Sequence, residues 1–315
     1  MIRIPRTELD IFPLNLGGNT FGWTSDRDAS FAVLDAFVAA GGNFIDTADL
    51  YSVWGEGHEG GESEKIIGEW ITARGNREQI IIATKVGGLP TRPGLSADNV
   101  DAALDESLQR LQTDYVDIYY AHYDDESVAI IDQVKHANSL VASGKVKHLA
   151  LSNFEPTRMR EWFDTAKAEG LTLPVAIQPQ YNLIHRKDFE SGYKPMVDEF
   201  DVAVFPYFAL ASGVLTGKYR SREDIQGKAR QGFAEDLITG DALKVVDAVV
   251  EIADARGVEP ATVSLAWLLA DGKGVTAPVA SASTPEQLPA LIAAADLKLS
   301  QDEVQKLDEA SNAFA

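Results

Sequence analysis

The chain has 315 residues, 45% of them hydrophobic, which favours one large domain over residues 1–315 rather than two domains. Its 28 Lys and Arg against 48 Asp and Glu give a formal net charge of −20, so the surface repels phosphodiester backbones and anionic lipids, and we expect no nucleic-acid or membrane partner. The absence of cysteine excludes disulfides, thiolate metal sites and thiol nucleophiles.

Short strand-like runs alternate with amphipathic stretches, after a MIRI/LDIF pair that predicts an N-terminal β-hairpin. Eight runs are predicted as strands: residues 14–18, 43–46, 80–85, 116–122, 146–152, 175–178, 202–207 and 274–280. Nine stretches with helical apolar spacing are predicted as helices: residues 28–40, 63–74, 97–111, 128–143, 156–169, 193–200, 242–256, 260–270 and 285–294. Residues 49–62, 87–96 and 209–241 are long loops, and long loops are often functional.

The alternation of strands and helices implies parallel strands, which fit either a (β/α)₈ barrel or a doubly wound open sheet. No G-x-G-x-x-G follows the first strand, so the dinucleotide fingerprint of the open sheet is missing. Nearly every strand instead ends in a polar residue: Asn19 with Thr20, Asp46, Lys85, His122, Ser152 with Asn153, Gln178, Tyr207 and Ser281. We therefore predict an α/β fold, a (β/α)₈ TIM barrel with a short N-terminal hairpin and one site at the carboxyl ends of its strands.

The N-terminal stretch MIRIPRTELDIFPL lacks the apolar region and the cleavage site of a signal peptide. No stretch approaches the roughly 18 apolar residues that span a bilayer. The expected location is the cytoplasm.

Four strand-end residues suggest acid–base chemistry. Asp46 closes the second strand, Tyr51 follows it in the loop, and Lys85 and His122 close the third and fourth strands. A buried lysine beside a tyrosine is expected to lower the tyrosine pKa, and an aspartate keeps that lysine charged. The histidine could orient a carbonyl oxygen or relay a proton. The sequence therefore predicts a site that protonates a developing alkoxide.

The segments FIDTADLY, ATK, YAH, LSNF, QPQYNL and PYFALASGVLTGKY occur in an order and at spacings that resemble the aldo-keto reductase superfamily, over nearly the whole chain. This resemblance implies a (β/α)₈ barrel that reversibly reduces an aldehyde, ketone or sugar carbonyl with hydride from NADPH. It also implies that Tyr51 is the general acid, with Asp46, Lys85 and His122 completing a catalytic tetrad.

The same resemblance implies a set of cofactor contacts. Thr20 would lie near the nicotinamide ribose, Ser152, Asn153 and Gln178 would hold the carboxamide, and Tyr207 would stack on the ring. The pyrophosphate would be lined by Phe208, Leu210, Ser212, Gly213, Leu215 and Lys218, and the adenosine end by Ser281, Ala282, Ser283, Thr284 and Gln287.

The cofactor preference is less clear because the sequence departs from the family pattern after the last strand. PVASASTPEQLPAL carries no basic residue to grip a 2′-phosphate, and Ala290 and Leu291 stand where a Glu-Asn pair is expected. Cations in the long loop could supply the missing charge: Lys218, Arg220, Arg222, Lys228 and Arg230. NADPH is the hypothesis, with NADH as its rival.

Trp23 and Trp54 are candidates for an apolar substrate pocket, although either could anchor a loop. His58 and His185 lack a second ligand at a metal spacing, so no metal is assigned. Two other functions stay open, a nicotinamide-binding regulatory partner subunit with little turnover and a barrel glycosidase that uses Asp46 with another carboxylate. The sequence predicts neither the substrate's identity nor the oligomeric state.

Overall fold

The computed structural model describes residues 1–315 and has ten strands. They are β1 (Ile2–Arg3), β2 (Asp10–Ile11), β3 (Asn15–Gly17), β4 (Phe44–Asp46), β5 (Ile81–Val86), β6 (Val116–Ala121), β7 (Val146–Ser152), β8 (Ala176–Gln178), β9 (Ala203–Val204) and β10 (Val279–Ala280). Strands β1 and β2 pair antiparallel as the predicted N-terminal hairpin. The other eight form one parallel sheet in the order β10, β3, β4, β5, β6, β7, β8, β9.

The helices fill the connections between these strands. They are α1 (Arg27–Ala39), α2 (Glu62–Arg74), α3 (Ala97–Leu111), α4 (Ile130–Ser143), α5 (Pro156–Ala168), α6 (Lys194–Phe200), α7 (Gln231–Ala234), α8 (Gly240–Arg256), α9 (Pro260–Leu268), α10 (Leu288–Ile292) and α11 (Gln301–Ala310). None of these helices is long and apolar enough to cross a membrane.

Backbone hydrogen bonds join the two ends of the sheet. The amides of Thr276 and Ala277 donate to the carbonyl of Val204 at 2.9 and 3.3 Å, and the amide of Val279 donates to the carbonyl of Pro206 at 2.9 Å. The segment that leads into β10 therefore lies against β9. This closure confirms the predicted (β/α)₈ barrel.

Alternation along the strands separates two apolar clusters. Outward-facing strand residues pack with the helices in the main core, whereas Phe44, Ile81 and Ile118 belong to a smaller cluster inside the barrel. Ile4 and Ile11 of the hairpin are fully buried in that inner cluster. Because the hairpin immediately precedes β3, it covers the amino ends of the strands and leaves the carboxyl ends for a site.

The predicted elements differ from the structure mainly at their ends. Strands β9 and β10 are shorter than predicted because Pro206 and Pro278 have no N–H to donate to a strand ladder. Residues 188–193 form a π-helix before α6, and short 3₁₀ turns flank α10. Helices α7 and α11 are not among the predicted elements.

Candidate active site

A cavity of about 350 Å³ opens at the carboxyl ends of the barrel strands. Twelve of the predicted site residues line it: Trp23, Tyr51, Trp54, His122, Ser152, Asn153, Gln178, Tyr207, Phe208, Leu210, Ser212 and Ser281. A larger groove of about 820 Å³ lies between α9 and α11 and contains none of the predicted residues. The smaller cavity is therefore the candidate active site.

Asp46, Lys85 and Tyr51 form a triangle at the floor of this cavity. The Lys85 Nζ lies 2.5 Å from Asp46 Oδ2 and 2.9 Å from the Tyr51 hydroxyl oxygen, and it also donates to the carbonyl oxygen of Thr47 at 2.8 Å. The Tyr51 hydroxyl donates to the same Asp46 oxygen at 3.0 Å. Asp46 and Lys85 are fully buried, whereas Tyr51 is half-buried. Strands β4 and β5 are neighbours in the sheet, which is why these strand-end side chains meet.

Burial dominates the proton affinities of this triangle. Burial and the Asp46 carboxylate raise the pKa of Tyr51 well above its ordinary value of 10.0. Burial also lowers the pKa of Lys85 from 10.5, although Asp46 opposes that change. The predicted lowering of the Tyr51 pKa is therefore wrong here, because burial and a shared carboxylate outweigh the neighbouring ammonium.

His122 faces Tyr51 across the cavity, with ring centroids 6.2 Å apart. Burial and the charge of Lys85 lower the pKa of His122 well below 6.5. Its Nδ1 is buried without a hydrogen-bond partner, and its ring stacks on Tyr123 at 4.8 Å. A neutral imidazole in this position can donate one hydrogen bond but cannot supply a proton at neutral pH.

The predicted carboxamide-binding residues are hydrogen-bonded to one another and to the triangle. Gln178 Nε2 donates to Asp46 Oδ1 at 2.8 Å, and the Ser152 hydroxyl donates to the Gln178 carbonyl at 2.7 Å. Asn153 Nδ2 donates to the His122 carbonyl at 3.0 Å, while Asn153 Oδ1 accepts from the Tyr207 hydroxyl at 2.7 Å. These contacts fix the side chains that line one wall of the cavity.

The segment from Phe208 to Gly213 has an unusual backbone. Phe208, Ala211, Ser212 and Gly213 all have positive φ, at 53°, 47°, 55° and 97°. Left-handed residues are rare outside glycine and collect at functional sites. The amides of Ala211 and Gly213 donate within the segment, to the carbonyls of Phe208 and Leu210 at 2.7 and 2.8 Å. This backbone places Phe208, Leu210 and Ser212 at the edge of the cavity.

Eight predicted cofactor residues do not line the cavity: Thr20, Gly213, Leu215, Lys218, Ala282, Ser283, Thr284 and Gln287. Thr20 is buried and its hydroxyl donates to the Ala282 carbonyl at 3.0 Å. The Gln287 side-chain oxygen accepts from the Ser283 amide at 2.7 Å. Leu215 is fully buried in the main core and Lys218 is exposed. Within the protein, Leu215 therefore acts as a packing residue.

The loop cations that could bind a 2′-phosphate differ in their surroundings. Arg220 pairs with Asp247, and Arg222 lies 3.7 Å from Asp236. Arg230 lines the cavity and has no carboxylate within salt-bridge distance, and burial lowers its pKa. A guanidinium without an acidic partner is unusual in a protein of charge −20, and Arg230 is the cation best placed to meet an anion in the cavity.

Aromatic side chains form the wall opposite the strand ends. Trp23 lies edge-to-face with Trp54 at 5.6 Å and with Phe233 at 6.4 Å between ring centroids. Tyr123 and Phe208 are partly exposed at the same opening. Sequence reasoning missed Phe233 because it lies on the short helix α7, within residues 209–241 that were predicted as a loop. Tyr123 was signalled by its place directly after His122.

The remaining candidates have local partners. His58 Nδ1 lies 2.9 Å from the Ser52 carbonyl, and His185 lies 3.1 Å from Asp188. No group of three or more His, Asp and Glu is arranged to hold a metal ion. No Asp or Glu lines the cavity, so the second carboxylate of a glycosidase is missing there.

Comparison with known proteins gives consistent matches. The sequence model of the Aldo/keto reductase family matches residues 13–312. The chain is 32% identical to the norsolorinic acid reductase stcV of Emericella nidulans, over 97% of this chain and 79% of that protein. It is 30% identical to the protein tas of Escherichia coli, over 97% and 96%, and 31% identical to the aryl-alcohol dehydrogenase [NADP(+)] of Phanerodontia chrysosporium, over 97% and 84%.

Proposed function

Because the chain belongs to the aldo/keto reductase family, we propose that it is an oxidoreductase that reversibly reduces a carbonyl to an alcohol with NADPH, with Tyr51 as the general acid. The observation that carries this proposal is the contact of Lys85 Nζ with the Tyr51 hydroxyl, 2.9 Å apart at the floor of the cavity. The cofactor, when bound, supplies the hydride that reaches the carbonyl carbon.

The side chains of the triangle handle the proton. The raised pKa of Tyr51 keeps its phenol protonated, which is the form that a general acid needs. As the substrate oxygen becomes an alkoxide, Tyr51 gives up its proton and its phenolate is left beside the Lys85 ammonium, which stabilises the new charge. Asp46 balances that ammonium in the buried site. His122, held neutral, donates a hydrogen bond to the same substrate oxygen.

The chain's residues fit the cofactor in three groups. Tyr207 would stack on the nicotinamide, with Ser152, Asn153 and Gln178 on its carboxamide and Thr20 near its ribose. Residues 208–215 and Lys218 would surround the pyrophosphate, and the left-handed backbone of Phe208 to Gly213 supports this assignment. Ser281, Ser283 and Gln287 would contact the adenosine end.

Two observations support NADPH over NADH. Arg230 lines the cavity without an acidic partner, and the Phanerodontia relative carries NADP(+) in its name. We expect the wild type to have a higher kcat/KM with NADPH than with NADH. Arg230→Met should lower the kcat/KM measured with NADPH more than the kcat/KM measured with NADH. Comparable values for the two cofactors, or a preference for NADH, would refute this part of the proposal.

The aromatic wall favours a flat aromatic carbonyl compound as substrate. Trp23, Trp54 and Phe233 offer ring edges and faces, and relatives are named for norsolorinic acid and for aryl alcohols. We expect aryl aldehydes to be reduced with a lower KM than straight-chain aldehydes of equal size. The cytoplasmic location stays a prediction from the sequence.

The deciding experiment measures cofactor oxidation with a panel of aldehydes and ketones, in the wild type and in Tyr51→Phe. We expect turnover that falls by about 10²- to 10⁴-fold when the phenol proton is removed, with the cofactor Kd unchanged. A protein that binds the cofactor but shows no Tyr51-dependent turnover on any substrate would instead be a nicotinamide-binding regulatory subunit.

A further inference from the structure

Two acidic side chains lie behind the catalytic lysine and take no part in the chemistry described above. Asp49 is 1% exposed and Glu64 is fully buried. Glu64 is well satisfied, because it accepts from the Thr84 hydroxyl at 2.5 Å and from Arg110 Nε at 2.7 Å. Neither carboxyl oxygen of Asp49 has a hydrogen-bond partner. A buried carboxyl without donors is costly to ionise, and such a group calls for a functional explanation.

The position of Asp49 connects it to the active site. It lies in the chain between Asp46 and Tyr51, and its amide donates to the Lys85 carbonyl at 3.2 Å. Burial, followed by the charge of Glu64, raises the pKa of Asp49 from 3.8 to about 7. Its negative charge, when present, acts on the Lys85 ammonium.

Charged and titratable groups face Asp49 from each neighbouring element. They are Glu64 on α2, Lys85 on β5, Arg110 on α3, Arg92 in the loop between β5 and α3, and Tyr119 on β6. Arg92 and Arg110 are partly neutralised by Glu106, with which both form ion pairs. The Tyr119 hydroxyl is buried without a partner. The two carboxyls thus share one enclosed cluster.

We propose that Asp49 is a positioning residue for Lys85, and that its carboxyl gains and loses a proton that tunes how readily Tyr51 gives up its own. The proposal rests on the proposed function. When Asp49 is neutral, Asp46 is the carboxylate in direct contact that offsets the Lys85 ammonium. When Asp49 ionises, its charge offsets that ammonium further, and the phenol of Tyr51 becomes a weaker acid. Reduction should therefore slow as the pH rises through the ionisation of Asp49.

Two other titratable members of the site lie outside the neutral range. The pKa of His122 is held well below 6.5 and that of Tyr51 well above 10.0. Burial also lowers the pKa of Lys85 from 10.5, so it is the Asp49→Asn variant that assigns a change in rate near pH 7 to Asp49.

The test is the pH dependence of the single-turnover rate of cofactor oxidation, which excludes product release. We expect the wild-type rate to fall about three- to tenfold as the pH rises through neutrality, as for a charge acting through a partly shielded distance. Asp49→Asn should abolish this fall. Glu64→Gln should move it to lower pH, because the like charge beside Asp49 is gone. Glu69→Gln, on the same helix and in a surface ion pair with Arg27, is the matched control and should behave as the wild type.

A second measurement does not depend on turnover. The infrared carbonyl band of a protonated carboxyl should be present in the wild type below neutral pH, disappear as the pH rises through 7, and be missing in Asp49→Asn. A wild type without such a band overturns the proposal, as does an Asp49→Asn enzyme that keeps the neutral limb unchanged. If Asp49→Asn does not fold, an unshifted limb in Glu64→Gln overturns it equally. Failure of the proposed function would instead be seen as turnover that Tyr51→Phe does not change.

Discussion

In the proposed mechanism the acid chemistry depends on Lys85, because its ammonium contacts both the Tyr51 hydroxyl and the Asp46 carboxylate. We expect Lys85→Met to lower kcat/KM for carbonyl reduction by about 10²- to 10⁴-fold, since the Tyr51 phenolate would form without a neighbouring cation while Asp46 stays unpaired. Steady-state kinetics in the reducing direction measure this.

Lys273→Met is the matched control for that change. Lys273 is also largely buried and also pairs with an aspartate, Asp308. It lies before β10, on the amino side of that strand, whereas Tyr51 follows the carboxyl end of β4. Lys273→Met should lower the free energy of unfolding, but its loss of kcat/KM should be much smaller than that of Lys85→Met. Equal losses of kcat/KM in the two variants would contradict a specific role for Lys85.

The buried carboxyl of Asp49 also leads to a prediction about the stability of the fold and its dependence on pH. Its pKa of about 7, against 3.8 in the unfolded chain, means that the folded state holds a proton that the unfolded state has lost. The stability gained from this proton is complete below pH 4 and is lost as the pH rises toward 7, to a total of roughly 4 kcal/mol. The free energy of unfolding in urea should therefore fall less between pH 5 and pH 8 in Asp49→Asn than in the wild type. Parallel pH profiles would contradict this.

The site residues were predictable one by one, but their energetics were not. Asp46, Lys85 and His122 could be found because each closes a strand, and Tyr51 because it follows one. The direction in which the Tyr51 pKa shifts could not be predicted. It depends on burial and on sharing Asp46 with Lys85, and a sequence pattern shows neither. Phe233 lies on α7, a helix of four residues that is too short to show an apolar period, and only the fold places it at the cavity.

At the scale of elements, the segment from Phe208 to Gly213 is the least regular part of the site. Gly213 has φ of 97°, and a Cβ there would approach the Lys218 Cε to 2.8 Å. We expect Gly213→Ala to weaken NADPH binding about tenfold, because the left-handed backbone costs an alanine about 1–2 kcal/mol and the segment would shift. Fluorescence titration measures the Kd.

Gly227→Ala is the control for Gly213→Ala, because it adds the same backbone strain outside the segment from Phe208 to Gly213. Gly227 also has positive φ, 71°, but nothing lies within 4 Å of its Cβ position. It carries the same conformational penalty in the same long loop. If it weakened NADPH binding as much as Gly213→Ala, the phosphate role of the segment would be wrong.

Helical periodicity predicted elements well wherever a helix packs one face on the core. Helix α3 has its predicted bounds, α2 and α5 differ by one residue at one end, and α1 is shifted by one residue at both ends. Helix α11 was not predicted; it is largely exposed, and Leu307 is the one residue buried on it. Its capping box, Ser300 with Glu303, was a signal that could have revealed it.

At the scale of the whole molecule, the barrel has the N-terminal hairpin at the amino ends of its strands and the candidate active site at the carboxyl ends. Strand alternation and polar strand ends predicted the barrel, but they did not predict the place of the hairpin, because nothing in MIRI/LDIF says which end of the barrel it covers. The eight strands share one sheet, so a change at the amino ends reaches the cavity only through the packed interior.

Ile11 tests this separation, since it is fully buried among interior barrel residues at the end opposite the cavity. Ile11→Ala should lower the free energy of unfolding by about 2–4 kcal/mol, from lost burial and a residual cavity. Ile2→Ala, in the same hairpin but 37% exposed, should change it by less than about 1 kcal/mol. Both variants should keep the wild-type NADPH Kd and the fall in rate near neutral pH, because the unchanged sheet holds the strands between the hairpin and the cavity. A large change in the NADPH Kd in Ile11→Ala, but not in Ile2→Ala, would mean that the hairpin at the amino ends of the strands shapes the site. The two ends of this barrel would then be coupled.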